Sequence, residues 1–300
     1  MSDFVTQNGF QIEFCTDEGW SILNPIEQSI KSKIDSVGVP LKKWDININF
    51  GIKTGFNDAF IISGEKKDEL ISEDPKSAEI IRPILRGRDV KRYCFYNPDL
   101  WLISTFPSKN YDIDNYPAVK EYLLSFGIEK LEQTGKKYTI NGVEIKARKK
   151  TNNKWFETQD SISYWDDFSK QKIVWARLSR ISKNDIDDFP RFALVPENYV
   201  LLDSLCFFTG SNLELLVHIL NSKYAAYYFF NNVAILDNGG MQMRQQFVEN
   251  IPLPFELKYI DYSDPETIDK KVFEAFKFSE EEINYINNYL MTKKAEISKK

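Results

Sequence analysis

Histidine and cysteine are almost absent from this 300-residue chain: there is one histidine, His218, and three cysteines, Cys15, Cys94 and Cys206. A single histidine speaks against a histidine-based catalytic triad and against a His-rich metal cluster. Three cysteines without a CxxC pair give neither a disulfide framework nor a zinc site. A long hydrophobic run is missing too. The most apolar stretch, Leu213 to Phe230, is interrupted by Glu214, His218, Asn221 and Lys223. It reads as a buried helix rather than a membrane span, with His218 in its apolar register. The start of the chain lacks the basic-then-apolar order of a secretion signal. A cytoplasmic protein with no membrane partner is expected. No internal repeat is visible.

Apolar residues make up 42% of the chain and aromatics 14%, which is a folding composition rather than a disordered one. The length suits one large domain or two small ones. The net charge of −5 conceals an asymmetry. Between Arg82 and Lys183 stand 20 Lys/Arg against 12 Asp/Glu, whereas the remainder carries 19 against 32. A basic face on an acidic body points to an anionic partner.

Local signals place several elements. Phe10 to Phe14 alternates like a short strand. Asn24-Pro25-Ile26-Glu27 opens a helix that carries Ile26, Ile30 and Ile34 on one side and closes at Gly38. Trp44, Ile46, Ile48 and Phe50 alternate as a half-buried strand leading to Gly51. A charged loop then leads to Asp74-Pro75, the cap of a short helix that Pro83 stops. Strand-like pieces follow at Tyr93–Tyr96 and Leu100–Ser104, and a helix starts at Tyr116-Pro117. Asn141-Gly142 marks a hairpin within a basic excursion over 133–154. Ser211-Asn212 caps the helix from Leu213 to Phe230, Gly239-Gly240 makes a turn, and Ser279 with Glu282 forms a capping box for a helix reaching Leu290.

Candidate contacts with a polyanion cluster in four places. The glycine turn Gly51-Ile52-Lys53-Thr54-Gly55-Phe56-Asn57, running into the strand ending near Ile62, offers Lys53, Thr54 and Asn57. Arg82, Arg86, Arg88, Lys91 and Arg92 place five cations within eleven residues around Gly87, opposed by Asp89. Lys170, Lys172, Arg177 and Arg180 accompany Trp155, Phe156, Tyr164, Trp165 and Trp175, aromatics that suit either a core or stacking on an extruded base. Gln242, Arg244, Gln245 and Gln246 form a polar cluster. Glutamine and arginine fit the edges of adenine and guanine, and the same residues also suit a surface helix.

Taken in order, Gly51–Ile62, Ile81–Tyr93, Lys172-Ile173-Val174-Trp175, Leu220-Asn221-Ser222-Lys223 and Gly239-Gly240-Met241 leading to Ile251-Pro252-Leu253-Pro254 resemble the TaqI-like C-terminal specificity domain. This is the target-recognition part of adenine-specific DNA methyltransferases and type IIG restriction-modification enzymes. The resemblance runs over 51–255. It implies an α+β recognition domain of short strands and helices, with a connector over 1–50 and an acidic helical tail over 256–300. It also implies duplex DNA as partner, with Lys53, Thr54, Asn57, Arg82, Arg86, Arg88, Lys91, Arg92, Lys172, Arg177, Gln242, Arg244 and Gln246 in contact.

The catalytic half is expected elsewhere. An amino-methyltransferase needs a glycine-rich turn for S-adenosylmethionine and an Asn/Asp-Pro-Pro-aromatic motif for the flipped base. Asn97-Pro98-Asp99 and Asp264-Pro265-Glu266 lack the second proline and the aromatic. No cofactor is therefore expected in this chain, and S-adenosylmethionine is expected in a catalytic partner domain or subunit. Two alternatives remain. One is a half-size type I specificity subunit that dimerises to supply two recognition halves. The other is a Mg²⁺-dependent endonuclease, in which Pro98-Asp99 and Glu144-Ile145-Lys146 imitate a two-carboxylate, one-lysine site.

Overall fold

Lys172–Ala176 is buried on both faces, because it forms an inner strand of a sheet with a hydrophobic core on each side. Ile173 and Trp175 point into one core and Val174 and Ala176 into the other, the period-two alternation of a strand. A strand buried on both faces reads as a continuous apolar run. The computed structural model describes residues 23–181, 186–236, 240–259 and 267–298. The strand expected at Phe10–Phe14 lies outside them.

The central sheet is antiparallel throughout, in the order Phe192–Val195, Lys172–Ala176, Leu205–Gly210, Ile46–Phe50. Its first core is helical. The helix Pro25–Val37 begins with the expected reciprocal cap: Glu27 N–H donates to Asn24 Oδ1, and Asn24 N–H to the Glu27 carboxylate, each at 2.9 Å. The second core contains a four-stranded sheet in the order Val200–Leu201, Ile81–Leu85, Leu100–Ile103, Ile61–Ser63. Short strands, mostly antiparallel with Val200–Leu201 parallel to Ile81–Leu85, thus mix with helices in an α+β fold.

The first and last described helices meet on the first core. Gly38–Pro40 pairs antiparallel with Pro252–Pro254. Lys33 Nζ and Ser29 Oγ both bind the Glu282 carboxylate at 2.6 Å, and Tyr285 donates to Glu27 at 2.6 Å. Ile30, Leu253, Val272 and Ile286 share one core with Leu216 and Phe229.

Several local expectations change in three dimensions. The charged loop before Asp74 is the helix Gly64–Glu73, held by Leu70 as its one fully apolar buried contact. Asn57–Phe60 is a helical turn that precedes the strand Ile61–Ser63. The Asp74 cap starts only a 3-10 turn, Pro75–Glu79, and Pro83 lies within the strand Ile81–Leu85. Tyr93–Tyr96 is not a strand but is held by single bridges, Val90 to Phe95 and Tyr93 to Ala193. The helix over 213–230 is two helices, Leu213–Leu220 and Lys223–Asn232. Buried Asn221 interrupts it by bonding both backbone groups of Phe192, and the Ser222 hydroxyl caps the second helix. Asn212 adopts a left-handed backbone and makes no side-chain cap, while Ser211 bonds Asp45. The helix capped by Ser279 continues past Leu290 to Ser298.

Candidate nucleic-acid interface

A cleft of about 900 Å³ opens at the end of the central sheet where Lys172–Ala176 turns into Ser179–Arg180. Three distant segments contribute to its walls: the turn Arg86–Lys91, the stretch Arg177–Arg180, and Leu236 with Gln242 and Arg244. Local structure explains their placement. Arg86 is pinned by Asp89, whose carboxylate accepts from Nε and Nη2 at 3.0 Å, and Gly87 N–H donates to Ser204 Oγ at 2.9 Å. With Asp89 neutralising Arg86 from behind, Arg88 and Lys91 are left on the cleft wall.

The third wall depends on alternation. Gly240-Met241 pairs antiparallel with Ser179-Arg180, and Trp175 Nε1 donates to Met243 O at 2.9 Å. Met241 and Met243 are buried, so Gln242 and Arg244 project into the cleft. Of the four polar residues that also suit a surface helix, only Gln245 and Gln246 lie in one, with Arg244 as its N-cap. Gly239 lies outside the described residues.

Six sequence-predicted residues thus converge: Arg86, Arg88, Lys91, Arg177, Gln242 and Arg244. Arg180 and Arg191 join them. Arg191 leads into the strand Phe192–Val195 and is ion-paired to Asp188 at 2.8 Å; only the sheet pairing brings it to the site, so the sequence carried no local signal of it. Among the described residues Arg88, Lys91, Arg177, Arg180 and Arg244 make no ion pair. Asp203 is the carboxylate among the cleft's lining residues, so cations outnumber it there, and clustered cations repel one another and favour a bound polyanion.

Arg177 is also shared by two shallower hollows. One holds Gln246 beside Arg244, and the other holds Lys53. The Arg177 guanidinium sits 5.6 Å over the Phe50 ring and donates to Asp203 O at 3.2 Å, so it is oriented although exposed. A track of cations therefore runs from Lys53 past Arg177 to Arg88, with Asp160 and Asp203 beside it.

Four predicted contacts do not join it, and Asn57 is used within its own loop. Thr54 is fully buried; its hydroxyl donates to Asn57 Oδ1 at 2.7 Å and accepts from Phe56 N–H. Lys172 is fully buried, with Nζ donating to Pro196 O at 3.1 Å, and burial pushes its ammonium down to about 8. Arg82 folds back onto the carbonyls of Ala78 and Ile81. Arg92 lies over Tyr93 and lines a separate cavity with Lys223 and Asp269. The aromatics open to two readings are largely core: Trp175 and Phe156 are buried, and Trp165 packs on Phe106 at 4.2 Å. His218 packs beside Tyr93, and burial lowers its pKa.

The two carboxylates of the nuclease alternative each have a partner near in sequence. Asp99 accepts from Trp101 Nε1, whereas Glu144 stands on an exposed hairpin 2.9 Å from Lys137. Among the described residues no group of three or more His, Cys, Asp or Glu side chains could hold a metal ion. None of their helices is long and apolar enough to cross a membrane.

The sequence profile of the TaqI-like C-terminal specificity domain family matches residues 82–253, more than half of the chain. The glycine turn at 51–57 lies before that match. Among solved structures, the type IIL restriction-modification enzyme MmeI in complex with DNA aligns over 86% of this chain and 36% of its own, with 15% identity and a TM-score of 0.51. The type IIG restriction endonuclease BpuSI aligns over 83% of this chain and 28% of its own, with 16% identity and a TM-score of 0.47. The likeness to MmeI is one of fold. The chain spans about a third of the length of these two structures. A search of curated proteins gives no match.

Proposed function

We propose, from the premise that this chain belongs to the TaqI-like C-terminal specificity domain family, that it reads a short duplex DNA sequence for a restriction-modification system. The convergence of Arg88, Lys91, Arg177, Arg180, Gln242 and Arg244 on one cleft carries this reading. Its cations would contact phosphates, which position a protein on the duplex without specifying sequence. Gln242 and Arg244 would supply specificity, since an amide or a guanidinium can bond a purine edge through two contacts. Buried Met241 and Met243 fix the direction of both side chains, so little conformational freedom remains to be lost on binding.

Within that reading, the chain serves an adenine-specific DNA methyltransferase or a type IIG enzyme. Catalysis and S-adenosylmethionine then belong to another domain or subunit, while this chain binds and orients the duplex. Selection of duplexes from a random pool tests the reading. The wild-type chain is expected to enrich one short motif, and Gln242→Ala to relax one position of it at a cost of about 1–3 kcal/mol on the preferred site. Retention of no duplex, or enrichment of no motif, contradicts it.

A further inference from the structure

The hairpin formed by Lys137–Ile140 and Val143–Lys146 contributes to neither hydrophobic core. Its turn has the left-handed pair Asn141 (φ 52°) and Gly142 (φ 78°) of a tight two-residue connection. A Cβ placed on Gly142 would meet nothing within 4 Å, so the tip stands in open space. Two-stranded hairpins are marginal in water by themselves. This one is secured at its base, where the buried Arg148 guanidinium donates to the carbonyls of Leu131, Thr54, Glu157 and Trp155 at 2.5–3.0 Å. Through Thr54 the base is fixed to the loop bearing Lys53, the far end of the basic track.

Register sets the two faces of the ribbon. Lys137 lies opposite Lys146 and Thr139 opposite Glu144, while Tyr138, Ile145, Ile140 and Val143 share the other side. Like charges directly opposite on a strand pair are unfavourable. Glu144 reaches Lys137 at 2.9 Å, but both are more than 60% exposed, where an ion pair is weak. Exposed Lys136 precedes the pair, and exposed Lys149 and Lys150 follow it. Four residues per strand give a reach of about 13 Å, and a two-stranded ribbon fits the width of a duplex major groove.

We propose that this hairpin is a second DNA contact, gripping phosphates of the duplex that flanks the sequence read in the cleft. It adds affinity without sequence preference. The inference rests on the DNA-reading assignment of the cleft and goes beyond it. The opposed lysines favour a polyanion over a protein partner, for which the apolar side would be the contact.

The test is a salt titration of the whole chain on two duplexes, one long and one trimmed to the selected motif. Wild type, Lys137→Ala/Lys146→Ala, Lys137→Arg/Lys146→Arg and Arg177→Ala are compared. On the long duplex the double alanine variant is expected to lower the slope of log affinity against log salt by about two units, with motif preference unchanged. The arginine pair, which keeps the charge, should retain the wild-type slope. On the trimmed duplex, wild type and the double alanine variant should bind alike. A wild-type slope for the double alanine variant on the long duplex, alongside a reduced slope for Arg177→Ala, overturns the hairpin contact and leaves the cleft reading standing. Failure of the wild-type chain to bind either duplex overturns the cleft reading and the hairpin with it.

Discussion

The loop Gly51–Asn57 and the turn Arg86–Lys91 are alike in sequence, each combining glycine with cationic and polar side chains, yet they use those groups in opposite directions. In the loop, Thr54 and Asn57 bond each other and Asp160 accepts from Lys53 N–H. Gly51 is required by close packing, since a Cβ there would sit 2.0 Å from Leu202 O. The glycine serves the close packing against Leu202, and Lys53 alone of the predicted contacts in the loop reaches the track. In the turn, one buried carboxylate, Asp89, satisfies Arg86, and Arg88 and Lys91 stay on the cleft wall. Polar residues beside glycine become a binding surface only where the fold has not already used them.

The largest effect that sharpens this contrast is on stability. Arg148→Ala strands the carbonyls of Leu131, Thr54, Glu157 and Trp155 in a buried site. It is expected to cost about 3 kcal/mol or more in urea unfolding. Arg88→Ala, on the exposed turn, should stay within about 0.5 kcal/mol. Equal losses in the two variants would erase the distinction between an internal loop and a presented turn.

A smaller effect separates buried from presented lysine. The Lys172 ammonium is pushed down to about 8 by burial, so the folded state releases its proton before the unfolded state does. The unfolded chain binds more protons between that value and the ordinary lysine range, so this group raises stability as pH increases across the interval. Comparing wild type with Lys172→Met from pH 8 to 10 should reveal a difference on the order of 2 kcal/mol. The salt dependence of DNA binding should be the same in both. A reduced slope in Lys172→Met would restore this residue as a phosphate contact.

The smallest effect lies where the helix Pro25–Val37 meets Glu282. Burial alone would raise the Glu282 carboxyl, but hydrogen bonds from Lys33, Ser29 and the Ser279 N–H hold it below the usual range. A depressed carboxyl contributes stability above its unfolded value, and that contribution is lost as pH falls through the folded one. Wild type should exceed Glu282→Gln by about 1 kcal/mol at neutral pH, with the gap closing below about pH 4. A gap unchanged at pH 3 would show that the contact does not depend on charge.

Elements governed by neighbouring residues were legible in the sequence. The cap at Asn24 and Glu27, the alternation of Ile46 and Ile48, and the turn at Asn141-Gly142 each involve groups a few residues apart. Elements governed by distant partners were not. Asn221 breaks a helix because its amide answers Phe192, and Pro83 is accommodated in a strand paired with Leu100–Ile103. The cleft divides in the same way. Arg86, Arg88 and Lys91 announce themselves as a cluster, but Arg191 and the outward register of Gln242 and Arg244 depend on sheet pairing and on Met241 and Met243 being buried. Thr54 and Lys172 have suitable chemistry for binding, and burial removes them from it.

The central claim is that the cleft shared by Arg88 and Arg177 holds duplex DNA. Its most direct measurement is the salt dependence of binding by wild type, Arg88→Ala and Arg177→Ala on a selected and a random duplex. Each substitution is expected to lower the slope of log affinity against log salt by about one unit on both duplexes alike. Wild-type slopes in both variants would mean that the cleft is only a solvated basic surface.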